Sequence, residues 1–314
     1  MDKGKGRSTK LKVTGIILGS ILLILAGVFA YGYSLLNRIN QMPLVINEEE
    51  NGGKKPTPKD MGISDEALKQ KETRIVNILL MGIDRRSSSE RGRSDTMLIA
   101  SIDRTNEKVK LTSLMRDLYV SIPDRQDNRI NAAYAFGGPA LAIKTVNKNF
   151  DMNIEHYLAL DLLGFEKIVD LIGGIEVDIT GAESRIVGVS GSGRHLLDGQ
   201  QALTYARIRR IGSDFQRTER QRTIMNEFFK IAMKSNILEI RGLLMVGFPH
   251  VETNYTTYEL LKLGRDVLKF NSKEVKEYRL PVDGTYSHER IRGMAVLVPD
   301  LEKNRELLHT FIYR

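Results

Sequence analysis

The sequence predicts an α/β fold: a central mixed β-sheet flanked by helices on both faces, preceded by one N-terminal transmembrane helix. Three observations carry this expectation. Apolar runs of strand length alternate with helix-length stretches from residue 75 to the C-terminus. Clusters such as Gly137-Gly138-Pro139 and Gly173-Gly174 punctuate them. Ahead of them lies a stretch from Val13 to Asn37 with no charged residue.

Those 25 positions reach about 37 Å as a helix at about 1.5 Å per residue. A bilayer core of about 30 Å needs about 20 residues, so the expected span is 13–36. The basic tail 1–12 predicts a cytoplasmic N-terminus and an extracytoplasmic remainder, a single-pass protein of the cell membrane. A cleaved signal peptide is the competing reading, since Val28-Phe29-Ala30 loosely resembles a cleavage site. The apolar run is longer than such peptides use. Residues 37–74, with Glu48-Glu49-Glu50, Asn51-Gly52-Gly53 and Lys54-Lys55-Pro56-Thr57-Pro58, read as an extracytoplasmic linker. One short helix over 64–72 fits within it, with Ser64 as N-cap.

Ile75–Ile83 reads as a buried strand, and Thr96–Ile102 and Val109–Met115 as two more joined by the polar turn 103–108. Asn131–Phe136 and Ala140–Phe150 read as helices split by the Gly-Gly-Pro. A strand over His156–Leu162, a helix over Phe165–Leu171 and a strand over Ile175–Ile179 follow. Ser190–Gly193 reads as a flexible loop. Helices are expected at Gln200–Ile208 and from Asp214 to about Lys234. The remainder, 236–314, reads as the C-terminal part of the same domain whose core is 75–235. It holds a helix near Thr257–Phe270, strands near Tyr278–Pro281 and Met294–Val298, and a terminal helix from Asp300.

Composition removes several function classes. The 314 residues contain no cysteine, which excludes thiol nucleophiles, disulfides and Cys-ligated metals. The formal charge is +8, but the tail holds five basic residues and one acid and so carries half of it. With no tryptophan, a nucleic acid partner is not expected. Phosphate loops of the GxxxxGK[ST] type, GxSxG elbows and HExxH are absent. The five histidines are scattered, and His156 in an apolar strand reads as structural.

Three constellations remain. Asp84 falls at the end of one strand and Asp95 just before the next, where ligand sites of α/β sheets gather. Together they suit a hard cation such as Mg²⁺, which takes one or two carboxylates plus substrate phosphates. As turn residues they would instead cap backbone amides. Arg116 ends an apolar strand and is expected at the same edge, either as a ligand group or in a structural pair with Asp117. Six arginines and no lysine lie between 207 and 222. The planar guanidinium grips phosphate in a bidentate fork, so an all-Arg cluster favours oxyanion recognition. Asp214, Arg217 and Gln221 share a helical face that Ile224 and Phe228 continue, which suits a ligand with a charged head and an apolar tail. The alternative is a solvated basic helix whose later turns enter the core.

NILLMGID (77–84), RSDTM (93–97), SLMRD (113–117), RINAAYAFGG (129–138), LDGQQALTYARIR (197–209) and DFQRTERQR (214–222) resemble, in order and spacing, the LytR-CpsA-Psr family. The resemblance implies a glycopolymer phosphotransferase of Gram-positive cell walls. Its substrate is an anionic glycopolymer, such as wall teichoic acid or capsule, on a polyisoprenyl diphosphate carrier. Its acceptor is a muramic acid hydroxyl of peptidoglycan. Asp84 and Asp95 match the family's Mg²⁺-associated aspartates, and Arg116 its diphosphate-binding arginine. Arg207, Arg209, Arg217 and Gln221 match the residues that surround and stabilise the leaving diphosphate. Met115 departs from the pattern, where the family usually has proline. A polyisoprenyl-diphosphate hydrolase and a membrane-bound transcriptional attenuator are the alternative functions.

Overall fold

The computed structural model describes residues 40–41, 44, 56–69, 74–84, 92–208, 211–212, scattered positions between 216 and 231, 250–270 and 275–314. The expected membrane span lies outside them. Among the described residues no helix is long and apolar enough to cross a membrane.

Seven strands form the main sheet. In chain order they are β1 (Asn40–Gln41), β2 (Ile75–Asp84), β3 (Arg93–Asp103), β4 (Lys108–Leu114), β7 (His156–Asp161), β10 (Val251–Thr253) and β11 (Val275–Leu280), arranged β1-β10-β7-β2-β3-β4-β11. The sheet is mixed. β2 pairs parallel with β7, and β4 with β11, while β3 runs antiparallel between β2 and β4. Three small hairpins complete the strands: β5 (Tyr119–Val120) with β6 (Asn128–Arg129), β8 (Ile175–Ile179) with β9 (Gly193–Leu197), and β12 (Tyr286–Ile291) with β13 (Met294–Pro299).

Alternation along the central strands covers both faces of the sheet. Leu79 and Met81 of β2 and Met97 and Ile99 of β3 face one core, shared with α2 (Ala132–Phe150) and α7 (Leu301–Tyr313) through Ile143, Val146, Leu308 and Ile312. Ile78, Leu80, Leu98 and Ala100 face the other, closed by Leu260 and Leu263 of α6 (Thr257–Leu268). A third apolar cluster joins α3 (Leu162–Leu171), β8, β9 and α5 (Gly199–Ala206).

The kink in α2 falls where the sequence places it. Gly138 has φ of +66°, a conformation unfavourable for side-chain-bearing residues, and Pro139 restarts the helix. Two elements run further than their apolar residues suggest: β2 continues to Asp84 and β3 begins at Arg93. Backbone pairing extends both past the buried stretch. Helix α4 (Gly181–Val187) and strands β9 and β12 are not expected from hydropathy. α4 nevertheless carries a capping box, in which Thr180 accepts from the Glu183 backbone and Glu183 accepts in return from Thr180.

Part of the stretch expected as a linker belongs to the domain. Leu44, Met61, Ile63 and Ala67 are buried in the first core. The amide of buried Asn147 donates to the Met61 carbonyl at 2.9 Å. Helix α1 (Asp65–Lys69) starts as expected, with the Ser64 hydroxyl accepting from Ala67 N at 2.9 Å. Prolines and charges near Met61 hide its burial from a composition reading, because a few apolar residues suffice to anchor an irregular segment.

Candidate active site

Strand directions bring Asp84, Asp95 and Arg116 to one edge of the sheet. β2, β4, β7 and β11 point the same way, so their C-terminal ends meet the starts of β3 and β10. Asp84 is the last residue of β2. Asp95 lies within β3, not before it. The register pairs Gly82 with Thr96 and Ile83 with Ser94, so Asp95 is the extra residue of a β-bulge. Such bulges re-aim side chains near strand ends, and this one sits beside Asp84. The side chains of Asp84 and Asp95 lie outside the described residues, as do Arg209 and Asp214. Two carboxylates on neighbouring strand ends are residues that could hold Mg²⁺, since their oxygens are hard ligands of the kind it takes beside phosphate oxygens.

Arg116 lies two residues beyond β4, at the same edge, and is held by its backbone on several sides. Met115 N donates to Leu280 O at 2.9 Å, Asn131 N donates to Arg116 O at 3.5 Å, and Leu297 N donates to Asp117 O at 2.9 Å. The first of these is a bond that proline cannot make. The departure at Met115 therefore lengthens the β4–β11 ladder by one rung. The structural pairing considered for Arg116 is present, since its Nε lies 3.5 Å from Asp117 Oδ2. Asp117 is buried and has a second cation, with Arg129 Nε 3.1 Å from Oδ1. Arg129 in turn donates through Nε to the Ala295 carbonyl at 3.1 Å. Arg129, the first residue of RINAAYAFGG, thus supplies a partner for Asp117.

The arginine cluster divides. Arg207 is exposed at the C-cap of α5, and its backbone N–H donates to Leu203 and Thr204 carbonyls at 3.1 Å each. Gln221 donates through Nε2 to the Ala206 carbonyl at 3.5 Å, next to Arg207. Arg217 is buried, on the stripe that Ile224 and Phe228 continue into the third apolar cluster. Arg220 is buried too, with Nη1 3.1 Å from Glu183 Oε1 and Nη2 donating to the Ile208 carbonyl at 2.9 Å. It is a tie between α4 and the segment after α5. Tyr205 is pushed up to about 12 by burial, with nearby Glu183 adding to the shift, so it is no base at neutral pH. Arg207 and Gln221 are brought together, whereas Arg116 stands on a separate element at the sheet edge.

A cavity of about 600 Å³ opens at the opposite edge, between Arg74 and Ile75 at the start of β2, Arg104 after β3, and Lys262 of α6. It is remote from these strand ends.

Comparison with known proteins finds relatives of the chain as a whole. The model of the LytR_cpsA_psr family matches residues 42–310. The chain is 34% identical over 271 residues to the polyisoprenyl-teichoic acid–peptidoglycan teichoic acid transferase TagU of Oceanobacillus iheyensis, covering 77% of this chain and 83% of that one. It is 32% identical over 219 residues to the regulatory protein MsrR of Staphylococcus aureus, covering 67% of this chain and 66% of that one. Among solved structures, the Bacillus subtilis protein TagT with bound octaprenyl pyrophosphate lipid superposes with a TM-score of 0.59 at 22% identity, over 76% of this chain and 90% of that one. That likeness is one of fold.

Proposed function

The chain belongs to the LytR-CpsA-Psr family, and on that premise we propose that it transfers an anionic glycopolymer from a polyisoprenyl diphosphate carrier to a muramic acid hydroxyl of peptidoglycan. The observation that carries the reading is the convergence of Asp84, Asp95 and Arg116 at one strand edge. The acceptor hydroxyl attacks the donor, a new bond to its oxygen forms, the bond to the carrier breaks, and the hydroxyl proton passes to a base. Negative charge builds on the departing lipid phosphate. Arg116 and Arg207, both permanent cations, stabilise it. Arg209, Arg217 and Gln221 complete the set that the family pattern assigns to the diphosphate. Asp84 and Asp95 would hold Mg²⁺, which when bound neutralises phosphate charge. One of these carboxylates is the base available for the hydroxyl proton.

The test uses the full chain, a synthetic polyisoprenyl-diphosphate saccharide and peptidoglycan oligomers. Saccharide linked to peptidoglycan is the expected product. Release of a lipid monophosphate marks attack at phosphorus, and release of a lipid diphosphate marks attack at the sugar carbon. Diphosphate cleavage with water as the sole acceptor overturns the transferase in favour of a hydrolase. Excess chelator is expected to stop product formation, and added Mg²⁺ to restore it. Undiminished turnover in chelator would remove the metal from the mechanism.

The staphylococcal relative's regulatory name supports the attenuator reading. The proposed location is the outer face of the membrane, anchored by residues 13–36 with the N-terminus inside, where the arginines face away from the chromosome. A topology reporter fused after Arg314 should read extracytoplasmic. A cytoplasmic signal would restore the regulator.

A further inference from the structure

The same edge carries a linked row of side chains that the reaction above leaves unused. Asp161 ends β7, and the register sets it beside Ile83, one residue from Asp84. His250 immediately precedes β10, the next strand beyond β7. Its Nδ1 lies 3.2 Å from Asp161 Oδ1 and 3.3 Å from Oδ2, and its Nε2 lies 3.1 Å from Lys167 Nζ. Asp161 also caps α3, accepting from Gly164 N at 2.7 Å. Gly164 makes room for the ring, since a Cβ there would come within 2.2 Å of His250 Cβ.

With the ring proton on Nδ1, every contact in this row has one donor and one acceptor. An ionised carboxylate only accepts, so Nδ1 donates to Asp161. An ammonium only donates, so Nε2 carries no proton and accepts from Lys167. The row runs Asp161, His250, Lys167, with Lys167 at its exposed end. The imidazole takes one of three ammonium donors; among the described residues no other partner takes the rest. A long, exposed lysine is thus held in one place by a mostly buried ring, with its charge turned outward.

Position suggests the ligand. The strand order β10-β7-β2-β3-β4 places this row on one flank of Asp84 and Asp95, and Arg116 on the other. At about 4.8 Å per strand, β7 and β10 lie about 5 and 10 Å from β2. A chain that leaves the reacting centre away from Arg116 would cross the flank where Lys167 lies.

We propose that Lys167, braced by His250 and Asp161, recognises a phosphodiester group of the polymer being transferred, separately from the carrier diphosphate. Lysine suits this role as a point charge on phosphate. His250 is a positioning residue that acts through Lys167. The proposal rests on the transferase reading for its substrate, but its test is a binding measurement that needs no turnover.

The full chain in detergent is titrated at low salt with a labelled water-soluble oligomer of glycerol phosphate, with maltohexaose as the uncharged control. Lys167→Met is expected to weaken oligomer binding about threefold to fivefold, the scale of one exposed charge contact, and to leave maltohexaose unchanged. Inorganic diphosphate is expected to depend on Arg116 and not on Lys167. His250→Leu should weaken the oligomer as Lys167→Met does. His250→Gln, whose Oε1 can accept from Nζ, should bind nearly as the wild type. Equal oligomer binding by wild type and Lys167→Met, or no binding by wild type, overturns the proposal. Equal loss of diphosphate overturns the assignment to polymer, and equal loss in His250→Gln and His250→Leu overturns the bracing. Wild type that binds the oligomer yet forms no linked product defeats the transferase reading alone.

Discussion

Replacing Arg116 or Arg207 with alanine is expected to abolish transfer while the protein stays folded. Each side chain is proposed to meet charge that develops on the departing lipid phosphate, and losing one such group costs roughly 10²–10³ in turnover. The fold tolerates both changes for different reasons. Arg207 is exposed, and the cap of α5 uses its backbone N–H, which alanine retains. Arg116 does contact buried Asp117, but that carboxylate keeps Arg129 at 3.1 Å. The uncompensated buried charge that makes a broken ion pair costly does not arise. Arg116→Lys is the informative companion. It preserves the charge and removes the fork, so activity between wild type and alanine would indicate bidentate phosphate binding. Turnover with purified protein, beside thermal melts of each variant, is the measurement. Wild-type rates in either alanine variant would remove that arginine from the reaction.

What the sequence reveals and hides follows from the range of the interactions. The central strands are legible because IVNILLMGI must be buried on both faces, and a local run of apolar residues says so directly. The edge they build is legible for the same reason, since the polar residues that end such runs must emerge there. That places Asp84 and Arg116 without knowledge of strand order. The bulge at Asp95 is not legible, because it depends on pairing with β2. Neither is the division of the arginines. Helical spacing puts Arg217, Gln221 and Ile224 on one face, but only the packed third cluster decides that this face turns inward and Arg207 stays outside. Asp117 and Arg129 meet through a loop, and Asp161 and His250 stand 89 positions apart. Glycine spacing and hydropathy carry no trace of such contacts. The capping box at Thr180 and Glu183 is different: its residues lie three positions apart in sequence, and it could have marked α4 in advance.

Arg220→Met should cost about 3–5 kcal/mol of stability, the penalty for removing one partner of a buried ion pair, and do so without the selective loss of activity expected of Arg207→Ala. The two arginines lie close in sequence yet serve opposite ends. Arg220 is 5% exposed and bonds Glu183 and the Ile208 carbonyl, so methionine fills its volume but leaves both acceptors without it. Proton linkage separates this loss from a simple packing defect. Burial pushes the Glu183 carboxyl up, but the Thr180 backbone and hydroxyl and the Arg220 guanidinium together outweigh that, and the group titrates below its ordinary value of 4.5. A lowered folded value means that the stabilisation is complete above that ordinary value and disappears as pH falls through the folded one. Part of the wild-type advantage over Arg220→Met should therefore persist at pH 7 and shrink on acidification below about pH 4.5. Urea unfolding of both proteins across that range reads the difference. A gap that stays constant with pH would mean that Arg220 stabilises by packing alone, and a gap near zero at pH 7 would mean that the buried pair holds nothing together.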